Sequence, residues 1–226
     1  MRPLAFTRTF YQRFARIFNP LIATALILVV VRSFVADTYR IPSDSMQPTL
    51  VDGDHVIGLK LFYGIKIPFG GPYIRFSSPE KGDAVVIKRA DGLFYIKRII
   101  AISPDKVDFK KGDLYINDKK LKKIFGTETS KYRYINNDDA VYREFIDSKY
   151  YSVIYSGTKR PQDIQSPVKL GVGKLFVIGD NRTNSVDSRQ WGPIDNKDVI
   201  ARPIFVWFSK DPVTGKIRWD RIGSID

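Results

Sequence analysis

Two hydroxyls stand two residues apart in Ser43-Asp44-Ser45-Met46-Gln47-Pro48-Thr49-Leu50, framed by Pro42 and Pro48. A serine hydroxyl is a weak nucleophile at neutral pH and needs an adjacent base, so the segment reads as one hydroxyl for attack with a helper beside it. The chain offers few bases. His55 is the one histidine in 226 residues, which excludes a multi-histidine metal site, and it lies in Gly53-Asp54-His55-Val56 with no third group evident to orient it. The absence of cysteine excludes disulfides, thiol catalysis and a cysteine-based zinc site. The other candidate is a lysine stripped of water, because burial disfavours the ammonium form and lowers the pKa toward the working range.

The run Leu93-Phe94-Tyr95-Ile96-Lys97-Arg98-Ile99-Ile100 contains such a lysine. Strand alternation puts Tyr95, Lys97 and Ile99 on one face and Ile96, Arg98 and Ile100 on the other. Both faces are apolar; arginine would stay charged there, whereas lysine can lose its proton. The plainer reading is a lysine whose stem covers apolar surface while its head stays wet, and on the strand alone that reading prevails. A third cluster runs from Gly179-Asp180-Asn181-Arg182 through Ser185, Asp187, Ser188 and Arg189 to Gly192. Its alternating Asp and Asn suggest a calcium loop, but the sixth-position glycine and closing glutamate are absent, and Arg182 and Arg189 oppose a cation. A polar turn with internal ion pairs is the plainer reading.

The elements that must position these groups follow from composition. Ile17 to Ala36 is mostly apolar and matches the roughly 20 residues that a helix needs to cross a bilayer. Arg2, Arg8, Arg13 and Arg16 precede it without an acid, and Asp37 follows. The positive-inside rule therefore predicts a cytoplasmic basic N-terminus at 1–16, a membrane anchor at 17–36 and an exported remainder. Phe34-Val35-Ala36 has a bulky residue where a cleavage site needs a small one, which favours an anchor that is kept. Beyond it, Asp54 to Leu59, Ala84 to Lys88, Leu93 to Ile100, Lys174 to Ile178 and Pro203 to Phe208 are short β-branched and aromatic runs, so the exported part is expected to be all-β. The predicted divisions are a catalytic β core over 37–104, with an extended hairpin loop at 61–78, an inserted polar β subdomain over 105–174, and the rest of the core over 175–226. Phe62, Tyr63, Phe69, Tyr73 and Phe76 suit either ordinary packing or a membrane-contacting edge. The net charge of +13 implies an anionic partner, nucleic acid or acidic lipid, and no nucleic-acid motif is present.

Four blocks in order resemble bacterial type I signal peptidases: Ile41 to Leu50, Gly53 to Val56, Lys81 to Val86 together with Tyr95 to Arg98, and Gly179 to Arg189. The resemblance implies a Ser-Lys dyad with Ser45 as nucleophile and Lys97 as base. It implies that Ser43 and the Ser45 N–H hold the oxyanion, that Ser185 hydrogen-bonds the lysine, and that Asp180, Asp187 and Arg189 give structural support. Thr183 stands where many members carry aspartate. The substrate implied is a preprotein with small residues at the first and third positions before the cut. The nearer pocket would be lined by Ile41, Met46, Leu50, Tyr95 and Ile96, and the farther by Tyr39, Ile41, Val56, Val86 and Ile96. No cofactor or metal is expected. The partners implied are signal peptides, the phospholipid bilayer and, by proximity, the secretion translocon. The expected location is the bacterial inner membrane, crossed once, with the catalytic part on the periplasmic side. A Ser-Lys peptidase maturing a single conjugation or pilus protein and a non-catalytic basic binding module are the competing readings.

Overall fold

Runs of Val, Ile and aromatic residues form strands where at least one face can be buried, and here they give a mainly β architecture. The computed structural model describes residues 19–29, 31–66, 73–126, 134–135 and 138–225. The strands are β1 (Ala36–Arg40), β2 (Asp54–Leu59), β3 (Gly64–Lys66), β4 (Tyr73–Arg75), β5 (Ala84–Lys88), β6 (Phe94–Ile102), β7 (Lys106–Lys110), β8 (Asp113–Ile116) and β9 (Lys119–Lys120). They continue with β10 (Lys122–Phe125), β11 (Asp139–Ile146), β12 (Lys149–Ser156), β13 (Val168–Lys169), β14 (Lys174–Ile178), β15 (Ile194–Asp195), β16 (Val199–Ser209) and β17 (Gly223–Ser224). The largest sheet has the order β1-β2-β16-β5-β6-β14-β15, with β17 also on β16. β16 joins its two halves: Val199 and Ala201 pair with β5, whereas Arg202 to Ser209 pair with β2. Register shifts along β16 supply the bulges that re-aim it between these partners.

β6 is packed on both faces. Ile99 enters a core with Val85, Ile87, Val177 and Val199, while Ile100 enters another with Val107, Phe109, Tyr151 and Phe176. The second core is shared with residues 105–174, which form the sheets β10-β11-β12 and β13-β7-β8-β9. A third core of Ile41, Met46, Leu50, Val56, Val86 and Val206 lies under the nucleophile segment. Gly53, at φ +88°, turns the chain into β2 where an added Cβ would collide with the Lys210 carbonyl, so glycine is required there.

A helix, α1, covers residues 19–29, with Leu21, Ile22, Leu26, Ile27, Leu28 and Val29 all exposed. A π-helical turn follows at Val31–Val35. Ala36 then opens β1 opposite Leu59, so the chain becomes extended before the predicted apolar segment ends. Ile17, Val30 and the N-terminal arginines lie outside the described residues. Among the described residues, no helix is long and apolar enough to cross a membrane. In the predicted hairpin, β3 and β4 pair; Phe69 lies outside the described residues, Tyr63 is fully buried, and Phe62 and Phe76 are exposed.

Candidate active site

The nucleophile segment is shaped by its own backbone. Ser43 is extended and caps a single 3-10 turn, Asp44–Met46, that carries Ser45. The turn is pinned where Gln47 N–H donates to the Asp44 carbonyl, Leu50 N–H to the Met46 carbonyl, and Asp52 N–H to the Asp44 carboxylate. From the other side, Asn181 N–H donates to the Ser45 carbonyl at 3.1 Å. Gly179 makes this approach possible, since an added Cβ would collide with the Ser45 carbonyl and with Ser185 Oγ.

Lys97 is 3% exposed and its Nζ lies 2.6 Å from Ser45 Oγ. Ser43 Oγ is 3.3 Å from the same hydroxyl. Burial pushes the Lys97 pKa down to about 8; Asp187 and Asp180 oppose the change, and Arg189 adds to it. An amine that burial holds neutral can accept a proton from a hydroxyl in contact with it. His55, on β2, instead packs against Trp207 and Phe208 of β16.

Buried ion pairs surround the dyad. Arg98, the next residue on β6, points to the opposite face and holds Asp180 with Nε and Nη2, both at 2.7 Å. Its Nη1 donates to the Gly82 carbonyl, and Thr49 Oγ1 donates to the Asp180 carboxylate at 2.5 Å. Asp187 accepts from Arg189 through both carboxylate oxygens and from Gly179 N–H, and it caps the short helix α2 (Ser188–Trp191). Burial alone would raise the Asp187 pKa, but Arg189 keeps the carboxyl below the usual carboxylate range.

A cleft of about 720 Å³ opens beside Ser45 and Lys97, lined by Tyr39, Ile41, Pro42, Ser43, Met46 and residues 93–97. Asn184, Ser185 and Val186 complete its wall.

The sequence matches the family model described as signal peptidase, peptidase S26, over residues 14–208. The chain belongs to that family. This S26 peptidase is 31% identical to "Signal peptidase I" of Buchnera aphidicola subsp. Baizongia pistaciae (strain Bp), over 95% of its own length and 83% of the relative's. It is 30% identical to "Signal peptidase I" of Rickettsia akari (strain Hartford), over 85% and 77% of the two chains. A crystal structure of a signal peptidase I from Enterococcus faecalis V583 superposes at a TM-score of 0.35 with 20% identity, covering 56% of this chain and 97% of that one, a likeness too loose to carry weight. The peptidase is thus a serine endopeptidase, which sets aside the non-catalytic binding module.

Most residues expected at the peptidase site converge on it, with two differences. Ser185 Oγ is buried beside Gly179, and among the described residues no hydrogen bond joins it to Lys97. Leu50, Val56 and Val86 do not line the cleft; they are fully buried in the core beneath it, because their positions face inward. Tyr39, Ile41, Met46, Tyr95 and Ile96 do line it. Thr183 takes a neutral role in place of the usual aspartate, its Oγ1 accepting from Ser156 N–H at 3.0 Å. Sequence reasoning missed the roles of Thr49 and Glu144. Glu144 had a detectable signal, since it shares a strand parity with Ile146 and thus points inward.

Proposed function

We propose that the chain removes signal peptides from exported preproteins, with Ser45 as nucleophile and Lys97 as general base. The observation that carries this reading is the 2.6 Å approach of a dehydrated lysine to the serine hydroxyl. Neutral Lys97 takes the Ser45 proton as Oγ attacks the scissile carbonyl. The tetrahedral intermediate collapses when the Lys97 ammonium gives that proton to the leaving amine, which releases the mature protein and leaves an acyl-serine. Water, deprotonated by Lys97, then attacks the ester; as the ester bond breaks, the Lys97 ammonium returns the proton to Ser45 Oγ and the signal peptide leaves as a carboxylic acid. Ser43 Oγ and the Ser45 N–H stabilise the oxyanion, by about 3–4 kcal/mol per donor.

Strand edges explain how a substrate would lie. β6 pairs with β14 only from Arg98 onward, so its edge at Phe94–Ile96 is not covered by that neighbour. A peptide laid in the cleft between this edge and Ile41–Ser43 would pair as an added strand. Ile41, Met46, Tyr95 and Ile96 leave room for small side chains, and Tyr39 borders the farther position. Helix α1 and the segment before it would anchor the enzyme in the bacterial inner membrane. The catalytic part would then face the periplasm, close to lipid and to the translocon.

The test is cleavage of a preprotein carrying alanine at the first and third positions before the cut. Ser45→Ala and Lys97→Ala are expected to lose nearly all activity while staying folded. Near-normal cleavage by Lys97→Ala rejects the dyad, and failure of the unaltered chain to cleave such preproteins rejects the substrate class.

A further inference from the structure

Among the described residues, 105–174 contribute no group to the cleft, yet they are tied to the loop that completes its wall. Glu144 on β11 is 1% exposed and accepts from Arg182 Nη1 at 2.7 Å and Nη2 at 2.6 Å. The hydroxyls of Tyr151 and Tyr155 on β12 also donate to its carboxylate, at 3.2 and 3.3 Å. The backbone of Arg182 is held too: its N–H donates to the Ile154 carbonyl, and Ile154 N–H donates to the Asp180 carbonyl. One residue further, Thr183 accepts from Ser156. The Arg182 carbonyl receives Arg189 Nη1 at 2.6 Å, and Arg189 holds Asp187. On its opposite side the same loop donates from Asn181 to the Ser45 carbonyl.

We infer that Glu144 is a positioning residue for the reaction: through Arg182 it clamps the 180–189 loop between β12 and Ser45, so that the β10-β11-β12 sheet fixes the dry surroundings of Lys97. This rests on the reading of Lys97 as base. The charges that act on Lys97 are Asp187, Asp180 and Arg189, all three on this loop. A loop freed from β12 displaces these groups and admits water to the lysine. Rehydration restores the ammonium, so the base becomes available only at higher pH. The substrate cleft takes only Asn184, Ser185 and Val186 from this loop and the rest of its lining from elsewhere, so its affinity changes little.

Two variants of the full chain test this. Glu144→Gln keeps one acceptor oxygen for the tyrosines but leaves the Arg182 charge unbalanced. Glu144→Gln with Arg182→Met removes both charges and avoids a buried unpaired ion, which protects folding. For the folded fraction of each, measured by circular dichroism, kcat is expected to fall about tenfold to a hundredfold with KM changed less than about twofold. The acid limb of the pH profile is expected to move about one unit toward alkaline pH. A fall in activity that only follows the folded fraction, with the limb in place, overturns the inference. An unaltered enzyme with no acid limb rejects the lysine base instead, so the two failures are distinct.

Discussion

Lys97 Nζ and Ser45 Oγ meet at 2.6 Å although 52 positions separate them in the chain. β6 brings the lysine from one side, and a single 3-10 turn over a buried apolar layer brings the serine from the other. Neither residue is exceptional by itself; what makes them reactive is the exclusion of water from the amine.

The first consequence is a pH dependence. With the Lys97 pKa near 8, the neutral base is a minor form at pH 6 and the major form at pH 9. Below the pKa, kcat/KM is expected to drop about tenfold per pH unit. Initial rates on a peptide substrate from pH 5 to pH 10 check this, and a flat profile contradicts it. Lys97→Arg is expected to be inactive at every pH in that range, because guanidinium stays protonated.

Stability carries the same signature with a definite sign. Unfolded lysine keeps its proton up to about pH 10.5, whereas the folded enzyme releases it from about pH 8. Between these values the unfolded state binds more protons, so stability rises with pH across the window. Below it, the native state bears the penalty of a buried ammonium, about 3 kcal/mol. Lys97→Met is therefore expected to be more stable than the natural chain at pH 6–7, with the difference vanishing toward pH 10.5. Urea unfolding at several pH values measures it.

At Gly179 even a methyl group is too large. Gly179→Ala would collide with the Ser45 carbonyl and Ser185 Oγ, so the loop and the nucleophile turn must separate. Activity is expected to fall by about a hundredfold, and stability by about 1–3 kcal/mol. Wild-type kinetics in this variant would show that the loop can be moved without harm.

The Arg98–Asp180 pair lies behind the dyad and is almost fully dehydrated. Removing one partner, as in Asp180→Ala, leaves a buried charge and is expected to cost about 3–5 kcal/mol. A thermal melt compared with an Arg98→Met, Asp180→Leu double variant, expected to lose less, separates the pair's own contribution from the penalty of breaking it.

Local pattern made much of the scaffold legible. The runs predicted over Asp54 to Leu59, Ala84 to Lys88 and Lys174 to Ile178 coincide with β2, β5 and β14, because each alternates or is uniformly apolar between turn residues. β16 extends past the predicted Pro203 to Phe208, since Val199 to Arg202 find partners that are distant in sequence. The apolar content of its strand made a buried Lys97 a candidate but favoured a lysine with a wet head. Its pairing with Ser45 rested on family resemblance. The Glu144–Arg182 link was hidden because a buried ion pair between distant segments leaves no local periodicity. Ser185 shows the converse limit: its place in the chain was right, but its hydroxyl lacks the bond expected of it.

β16 has one more implication. It sits between β2 and β5, with Ser45 ahead of one and Lys97 behind the other, and it is among the last strands in the chain. Until Val199–Ser209 is available, no strand pairing joins the two halves of the sheet. A growing polypeptide thus carries Ser45 and Lys97 well before the strand that pairs with both β2 and β5 exists. A chain truncated before Val199 is therefore expected to be inert, its competence timed by the arrival of β16.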